Sequence, residues 1–380
     1  MIPVFEPIIE EEEIKSVVAA LKRGEISGSF GQTIPQFEQE FATYVGCKYG
    51  VAVTSGTTAL HLAVAAAGIG PGDEVLVSAS TNIATALAVV HNGAIPIPVD
   101  SEVVTWNLDL NLIESLITPK TRAIIPVHLF GHPVDMDWLM EIAARHNLVV
   151  IEDCAESHGA TCRGRMTGSF GDMACFSFYA NKIITTGEGG MVMTNDAEFA
   201  EKLRLLRNLA FTKPRFRHEV AGYNFRMTGY QAAMGLAQLK KIEHIISEKR
   251  RMAKTYTRYL ADLPNLQLPA ELDWARNVYW MYGIVVKPMS GITRDQLVDS
   301  LWADEIETRT FFCPMNQQPC LQSQAGFRAI SCPVADGLWE TGLYLPSSPN
   351  LSDEAIRTVA NSIRKAFHSN PCDPYFKDGR

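Results

Sequence analysis

The sequence predicts an α/β fold: a mainly parallel sheet covered by helices on both faces, followed by a smaller C-terminal α+β domain. Three observations carry this. Short apolar runs alternate with helical patterns through the first half of the chain, the signature of strands joined by crossover helices. A long stretch, residues 228–259, then holds helical spacing without a proline. Beyond it stands one more strong apolar run, VYWMYGIVV at 278–286, between helical patterns.

In chain order, YGVAVT at 49–54 reads as a buried strand, and 57–68 as a helix with Leu60, Val64 and Ala67 on one stripe. PGDEV at 71–75 turns the chain into VLVSA. Residues 82–92 look helical and end at Gly93. IPIPV at 95–99, AIIPV at 123–127 and LVVIED at 148–153 are further strands, with a helix over 137–146 before the last. The charged string KKIEHIISEKRRMAKTYTRYL reads as a long amphipathic helix leaving the first domain. TRDQLVDSLWADEIE at 293–307 and residues 352–368 complete the helices, and the tail NPCDPYFKDGR is expected to be loose. The domain boundary falls near 245, dividing the chain into 1–245 and 246–380.

Composition sets the outer limits. Of 380 residues, 47% are apolar and 20% charged, enough for a buried core and unlike a disordered chain. A formal charge of −8 argues against nucleic-acid binding. MIPVFEPIIEEEEIK has neither the basic nor the apolar segment of a secretory signal, and no apolar stretch is long enough to span a bilayer. Eight scattered cysteines without C-x-x-C spacing fit reduced thiols rather than a zinc ribbon, so a cytoplasmic protein is expected.

Three segments carry chemistry. In VTSGTTALHLA, 53–63, an apolar strand runs into Ser-Gly-Thr-Thr and a helix. Gly56 permits close approach of a ligand, and the free N–H groups of a helix start favour an anion such as phosphate. Read alone, an ordinary N-cap explains the segment as well. In VVIEDCAESHGA, 149–160, Asp153 ends an apolar strand, where ligands of open α/β sheets gather, and a carboxylate there can hold a protonated ring nitrogen. Glu156 lies within reach of the same ligand; a capping acid is the plain alternative. In FSFYANKIITTGEGGMVMTND, 176–196, Lys182 stands in a mixed apolar and polar segment before a Gly-rich turn, five residues after Ser177. A lysine in a partly apolar pocket has a depressed pKa and can form a Schiff base with an aldehyde. A lone lysine is ordinarily a solvated one. Together, phosphate cradle, ring-nitrogen acid and lysine form the set that pyridoxal phosphate demands.

On these strings, with SGTTALHLAVAAAGIGPGDEV, ITPKTRAIIPVHLFG, GYNFRMTGYQAAMGLAQL and RNVYWMYGIVV, the chain resembles the DegT/StrS sugar aminotransferases over nearly its whole length. Asp, then Lys 29 positions later, then TTGEGG is the specific combination. The resemblance implies a fold-type-I pyridoxal phosphate enzyme with a seven-stranded sheet in its large domain. It implies a reaction moving an amino group from L-glutamate to a keto sugar on a nucleotide, within the branch that acts on a 4-keto-6-deoxy sugar carried by GDP. A different keto sugar or a ketocyclitol is the alternative acceptor, and a non-catalytic sugar-nucleotide-binding or regulatory protein on the same scaffold the alternative class. The resemblance further implies that Lys182 forms the Schiff base and shuttles the proton, that Asp153 pairs with the pyridinium nitrogen, and that Glu156 lies near the ring hydroxyl. Ser177 and the Gly56–Thr57 backbone would hold the phosphate. Asn224 would reach the phosphate of the neighbouring subunit of a homodimer, and Arg226 would lie on the substrate side.

Two departures stand out. Where the family places an aromatic over the ring, this chain has Asn82, in SASTNIATA. Asn316 and Gln317, in CPMNQQP, stand where histidines are frequent. The related dehydratases replace the lysine with histidine, so Lys182 favours amination. Neither G-x-G-x-x-G after a strand nor G-x-x-x-x-G-K-[ST] occurs, and H-E-x-x-H and G-x-S-x-G are also missing. The histidines show no metal-ligand spacing, and no metal is expected. EEEE at 10–13 reads as the solvated start of a helix. KPRFRHE at 213–219 reads as a basic loop.

Overall fold

The computed structural model describes residues 1–369 except Ser29 and Met289; the tail read as loose, with Cys372, lies outside the described residues. Two N-terminal helices, α1 (Glu11–Lys22) and α2 (Thr33–Val45), precede the main sheet. The sheet is built from β1 (Tyr49–Val53), β2 (Glu74–Ser78), β3 (Ile95–Val99), β4 (Thr121–Ile125), β5 (Val149–Asp153), β6 (Met173–Ser177) and β7 (Gly190–Thr194). It carries α3 (Gly56–Ala66), α4 (Ala84–His91), α5 (Met136–His146) and α6 (Ala197–Arg207). Then follow α7 (Gly229–Lys240), α8 (Ile242–Leu260), α9 (Arg294–Ala303), α10 (Pro333–Thr341) and α11 (Asp353–Ser369). A second antiparallel sheet holds β8 (Leu266–Gln267), β9 (Tyr282–Val286), β10 (Arg309–Thr310) and β11 (Gly342–Leu345), in the order β8-β9-β11-β10.

The seven strands run in the order β1-β7-β6-β5-β4-β2-β3. Only β7 is antiparallel to its neighbours, so the other six point the same way. This is the mainly parallel, seven-stranded α/β sheet that sequence and resemblance predict. Its strands are buried almost throughout and rich in Val, Ile and Met, as a sheet covered on both faces requires. One side of the core gathers Phe37 and Phe41 of α2 with Phe176 and Phe178. The Phe41 ring meets both Phe176 and Phe178 edge-on, 5.0 and 5.1 Å away, pairs worth about 1 kcal/mol each beyond burial.

The stretch expected as one helix is two. The chain breaks at Lys241, whose φ of −114° and ψ of 13° lie outside the helix. The break turns the Lys241 amine onto Glu13, 2.6 Å away, and Glu10, 2.8 Å away. It also overturns part of the reading of the acidic run: Glu13 is buried and accepts from Gln238 Nε2. The break redirects α8. Its first turns place Ile242, Ile245 and Ile246 in the core beside the main sheet. Its later turns place Met252, Tyr256 and Leu260 in a second core with β9 and with Ile356, Val359 and Ile363 of α11. Position 245 therefore lies inside a helix that serves both cores. The N-terminus joins the second core as well, with Ile2 bridged to Ile306.

Candidate active site

A cavity of about 260 Å³ opens where the parallel strands end. The start of α3 supplies Ser55, Gly56 and Thr57; the end of β5 supplies Asp153; the end of β6 and the loop after it supply Ser177, Tyr179 and Lys182. Trp280, Phe312 and Tyr344 close it from the second region.

The α3 end is built as a cradle. Ser55 Oγ accepts from Thr58 N while Thr58 Oγ1 accepts from Ser55 N, at 3.1 and 3.0 Å. This capping box fixes the first turn and leaves the earliest N–H groups without intrahelical acceptors. A side chain at Gly56 would force Ser177 aside, because its Cβ would stand 2.6 Å from Ser177 Cβ. The strand end and the helix start therefore lie in close contact.

Alternation along β5 divides its two acids. Glu152 faces away from the cavity. It accepts from the N–H groups of Gly168, Phe170 and Gly171, each at 2.8 Å, and lies 3.2 Å from His128 Nε2. His128 Nδ1 accepts from Val134 N, so its Nε2 carries the proton and donates to Glu152. This saturated pair is structural, although Cys154 also approaches it. Asp153 faces the cavity. Its Oδ2 accepts from Thr85 Oγ1 at 2.8 Å and its Oδ1 from Ala155 N at 3.1 Å. Glu156 Oε2 accepts from Phe130 N at 2.8 Å. Phe130 takes a φ of 52°, a left-handed turn that aims this N–H at the carboxylate.

Lys182 completes the set. Its Nζ lies 3.8 Å from the centroid of the Trp280 ring, and Trp280 Nε1 donates to the backbone carbonyl of Asn181 at 2.7 Å. Burial lowers the Lys182 pKa, against the attraction of Glu156 and Asp153. Burial raises Asp153 and takes Glu156 up to about 7, Lys182 opposing both. Burial and the Lys182 charge push His158 behind the site down to about 3. The cavity thus holds an amine that loses its proton easily beside two acids that release theirs reluctantly.

The structure brings Gly56, Thr57, Asp153, Glu156, Ser177 and Lys182 together around one cavity. It places Asn224 and Arg226 elsewhere. Asn224 is exposed, on a segment bridged to Asn208, and Arg226 Nη1 donates to Asn208 Oδ1 at 2.9 Å. Asn82 borders the cavity, but its Oδ1 accepts from the N–H of Ala84, the first residue of α4, at 3.0 Å. Asn316 and Gln317 both donate to Asp336 Oδ1. Sequence reasoning missed Thr85, Tyr179, Trp280, Phe312 and Tyr344. Only the helix-start position of Thr85 and the aromatic run 278–286 offered a signal.

The residues present fit pyridoxal phosphate. Backbone donors and Ser177 suit its phosphate, Asp153 suits a ring cation, and Lys182 suits its aldehyde. Asn181 Oδ1, buried on the cavity wall, has no partner among the described residues.

Comparison with known proteins agrees. The DegT/DnrJ/EryC1/StrS aminotransferase family matches residues 7–364. The GDP-perosamine synthase of Caulobacter vibrioides is 44% identical, covering 95% of this chain and 97% of its own. The crystal structure of S. venezuelae DesV superposes with a TM-score of 0.87 at 37% identity, covering 94% of each chain. A putative sugar aminotransferase of Streptococcus pneumoniae, solved in its PLP form, gives a TM-score of 0.91 at 26% identity, covering 97% or more of each chain. The chain belongs to the DegT/DnrJ/EryC1/StrS aminotransferase family and is a pyridoxal phosphate-dependent aminotransferase.

Proposed function

We propose that this enzyme moves an amino group from L-glutamate to a nucleotide-linked 4-keto-6-deoxy sugar. The observation that carries the chemistry is the Lys182 amine held between burial and two carboxylates. Likeness to GDP-perosamine synthase supports the acceptor. Bound in the cavity, pyridoxal phosphate supplies an aldehyde for Lys182 and a ring that accepts an electron pair. The chain supplies the rest. Gly56, Thr57 and Ser177 hold the phosphate. Asp153, fixed by Thr85 and Ala155, keeps a proton on the ring nitrogen by offering it a carboxylate. Glu156, fixed by Phe130 N, orients the ring hydroxyl. With the cofactor bound, Lys182 Nζ would be the base placed to take the proton from the donor's Cα and pass it on, and in the second half-reaction, run in reverse, to deliver a proton to the sugar carbon. Trp280, Phe312 and Tyr344 line the cavity on the side of the second region.

A homodimer completes the reading, with Asn224 reaching the partner's phosphate and Arg226 on the substrate side. Two features support it. Asn224 is exposed and borders nothing in its own cavity. Ile14, Val18 and Leu21 form an exposed apolar stripe on α1, each more than 40% exposed, which suits a buried subunit contact. Among the described residues no helix is long and apolar enough to cross a membrane. The scattered cysteines, without C-x-x-C spacing, are the ground on which we propose a cytoplasmic enzyme. Domains of 1–245 and 246–380 remain our division.

The test is the visible spectrum. L-Glutamate is expected to bleach the yellow band of the purified enzyme, and the GDP-linked 4-keto-6-deoxy sugar to restore it. A band that glutamate leaves unchanged refutes the donor, and one that only other ketones restore refutes the acceptor. Lys182→Ala is expected to abolish turnover; full activity would refute the assignment.

A further inference from the structure

The segment that presents Asn224 is clamped to the helix that begins the phosphate cradle. Residues 223–225 lie extended along the end of α6. Tyr223 N donates to Leu206 O at 2.7 Å and Phe225 N to Arg207 O at 3.1 Å. Phe225 O accepts from Thr54 N at 3.1 Å, next to the cradle itself. In an extended segment, alternate side chains share a side. The Tyr223 and Phe225 rings accordingly stack, 4.8 Å apart and 6° from parallel, while Asn224 between them is exposed. Both rings meet one residue of α3. His61 stands edge-on to Tyr223 at 4.7 Å and to Phe225 at 5.6 Å. The His61 carbonyl accepts from Asn92 Nδ2 at 3.1 Å, which ties α3 to the end of α4. His61 Nε2 is buried and unpartnered among the described residues, so that side of the ring acts by packing.

We propose that His61 is a positioning residue that acts in trans. Through Tyr223 and Phe225 it sets the direction of Asn224, and so tunes the cofactor site of the other subunit rather than its own. One helix then serves two sites: the start of α3 cradles its own phosphate, and its second turn steers the arm that completes the partner's. This inference rests on the cross-subunit reading of Asn224 given above.

Heterodimers carrying two purification tags separate the possibilities. Lys182→Ala silences the visible band of one site, so the band reports pyridoxal phosphate binding at the other site alone. In the first pairing, a chain with His61→Ala and Lys182→Ala joins a wild-type chain, and the visible site receives its arm from the altered chain. In the second, Lys182→Ala joins His61→Ala, and the visible site receives an intact arm. The first pairing is expected to bind the cofactor about 10-fold more weakly, the loss of one hydrogen bond to a charged group. The second is expected to bind as wild type. A loss in the second pairing, in both or in neither overturns the proposal. His61→Phe in the first pairing keeps a ring against both neighbours and is expected to restore affinity; a persistent loss overturns the packing argument. Asn224→Ala in the same two pairings checks the underlying reading. If it shows the trans pattern and His61→Ala does not, His61 alone is refuted. If Asn224→Ala shows no trans loss, or the chain stays monomeric, the cross-subunit reading falls and the proposal with it.

Discussion

Lys249 offers a test of how the second region is held against the active site. It lies on α8 with no exposed surface. Its Nζ donates to the carbonyl of Trp280 at 2.7 Å and to that of Ser347, and sits 5.5 Å from the Phe5 ring centroid. The Trp280 ring is the one packed on Lys182, so this buried amine braces one wall of the cavity. Among the described residues no carboxylate pairs with it. Burial pushes its pKa from 10.5 to about 7. That gap of about 3.5 units is worth about 5 kcal/mol at 1.36 kcal/mol per unit. The figure is an upper bound, because two carbonyl acceptors and the Phe5 ring favour the ammonium form. The sign follows from proton counting. Below about pH 7 the amine is protonated folded and unfolded, and its burial costs the same throughout. Between about 7 and 10.5 the unfolded chain keeps a proton that the folded one has lost, so stability rises with pH. Lys249→Met keeps the length of the side chain and removes the proton. Urea unfolding of both proteins, at fixed enzyme and cofactor concentrations from pH 7 to 10.5, is the assay. The wild type is expected to gain on the variant by several kcal/mol, up to about 5. A difference that stays constant across the range refutes the reasoning, and means that the carbonyls hold the proton at its ordinary affinity.

Three other substitutions probe the site. Asp153→Asn should slow the proton transfer about 100-fold in single-turnover measurements while some cofactor stays bound; an unchanged rate removes Asp153 from its role. Gly56→Ala should weaken pyridoxal phosphate binding about 10-fold by forcing Ser177 aside. Its overpacking cost of about 1–3 kcal/mol would be partly offset by about 1 kcal/mol of helix propensity. Wild-type affinity in a spectroscopic titration would show that the cradle is not closed there. Glu152→Ala strips an acceptor from three N–H groups and from His128, and should cost about 3 kcal/mol or more in urea unfolding; a loss under about 1 kcal/mol would contradict the saturated carboxylate.

What could be read from the sequence is what local chemistry dictates. Asp153 and Ser177 close apolar strands, and Gly56 sits at a strand–helix junction, so each announces its place within a few residues. Lys182 gains meaning only beside them. The aromatic wall was illegible because Trp280, Phe312 and Tyr344 come from another region, and a buried aromatic there resembles any core residue. The run 228–259 looked continuous because both halves keep helical spacing; the break depends on Lys241 finding Glu13, a contact between distant segments. Helix α2 was overlooked although Phe37, Phe41 and Val45 keep a stripe. Its Pro35 lies in the first turn, where the missing N–H costs nothing. The structural task of Glu152 was hidden, since the groups that donate to it, on Gly168, Phe170, Gly171 and His128, lie 16 or more positions away.

The charges of the cavity explain why those three ionisable groups must occur together. A buried lysine alone would shed its proton, and two buried carboxylates alone would each take one. Side by side they hold one another nearer to ionisation: Glu156 and Asp153 raise Lys182, and Lys182 lowers both. Burial is nevertheless the larger effect on each. The lysine therefore remains an easily deprotonated amine, the form that can attack an aldehyde. Glu156, near 7, can keep or yield its proton at little cost. Asp153 accepts from two donors, Thr85 Oγ1 and Ala155 N, where Glu156 accepts from Phe130 N, and both donors favour its anion. A ring cation placed on Asp153 would offset the burial that now raises it. The same argument favours Asp153 over Glu156 as the proposed partner of a ring cation.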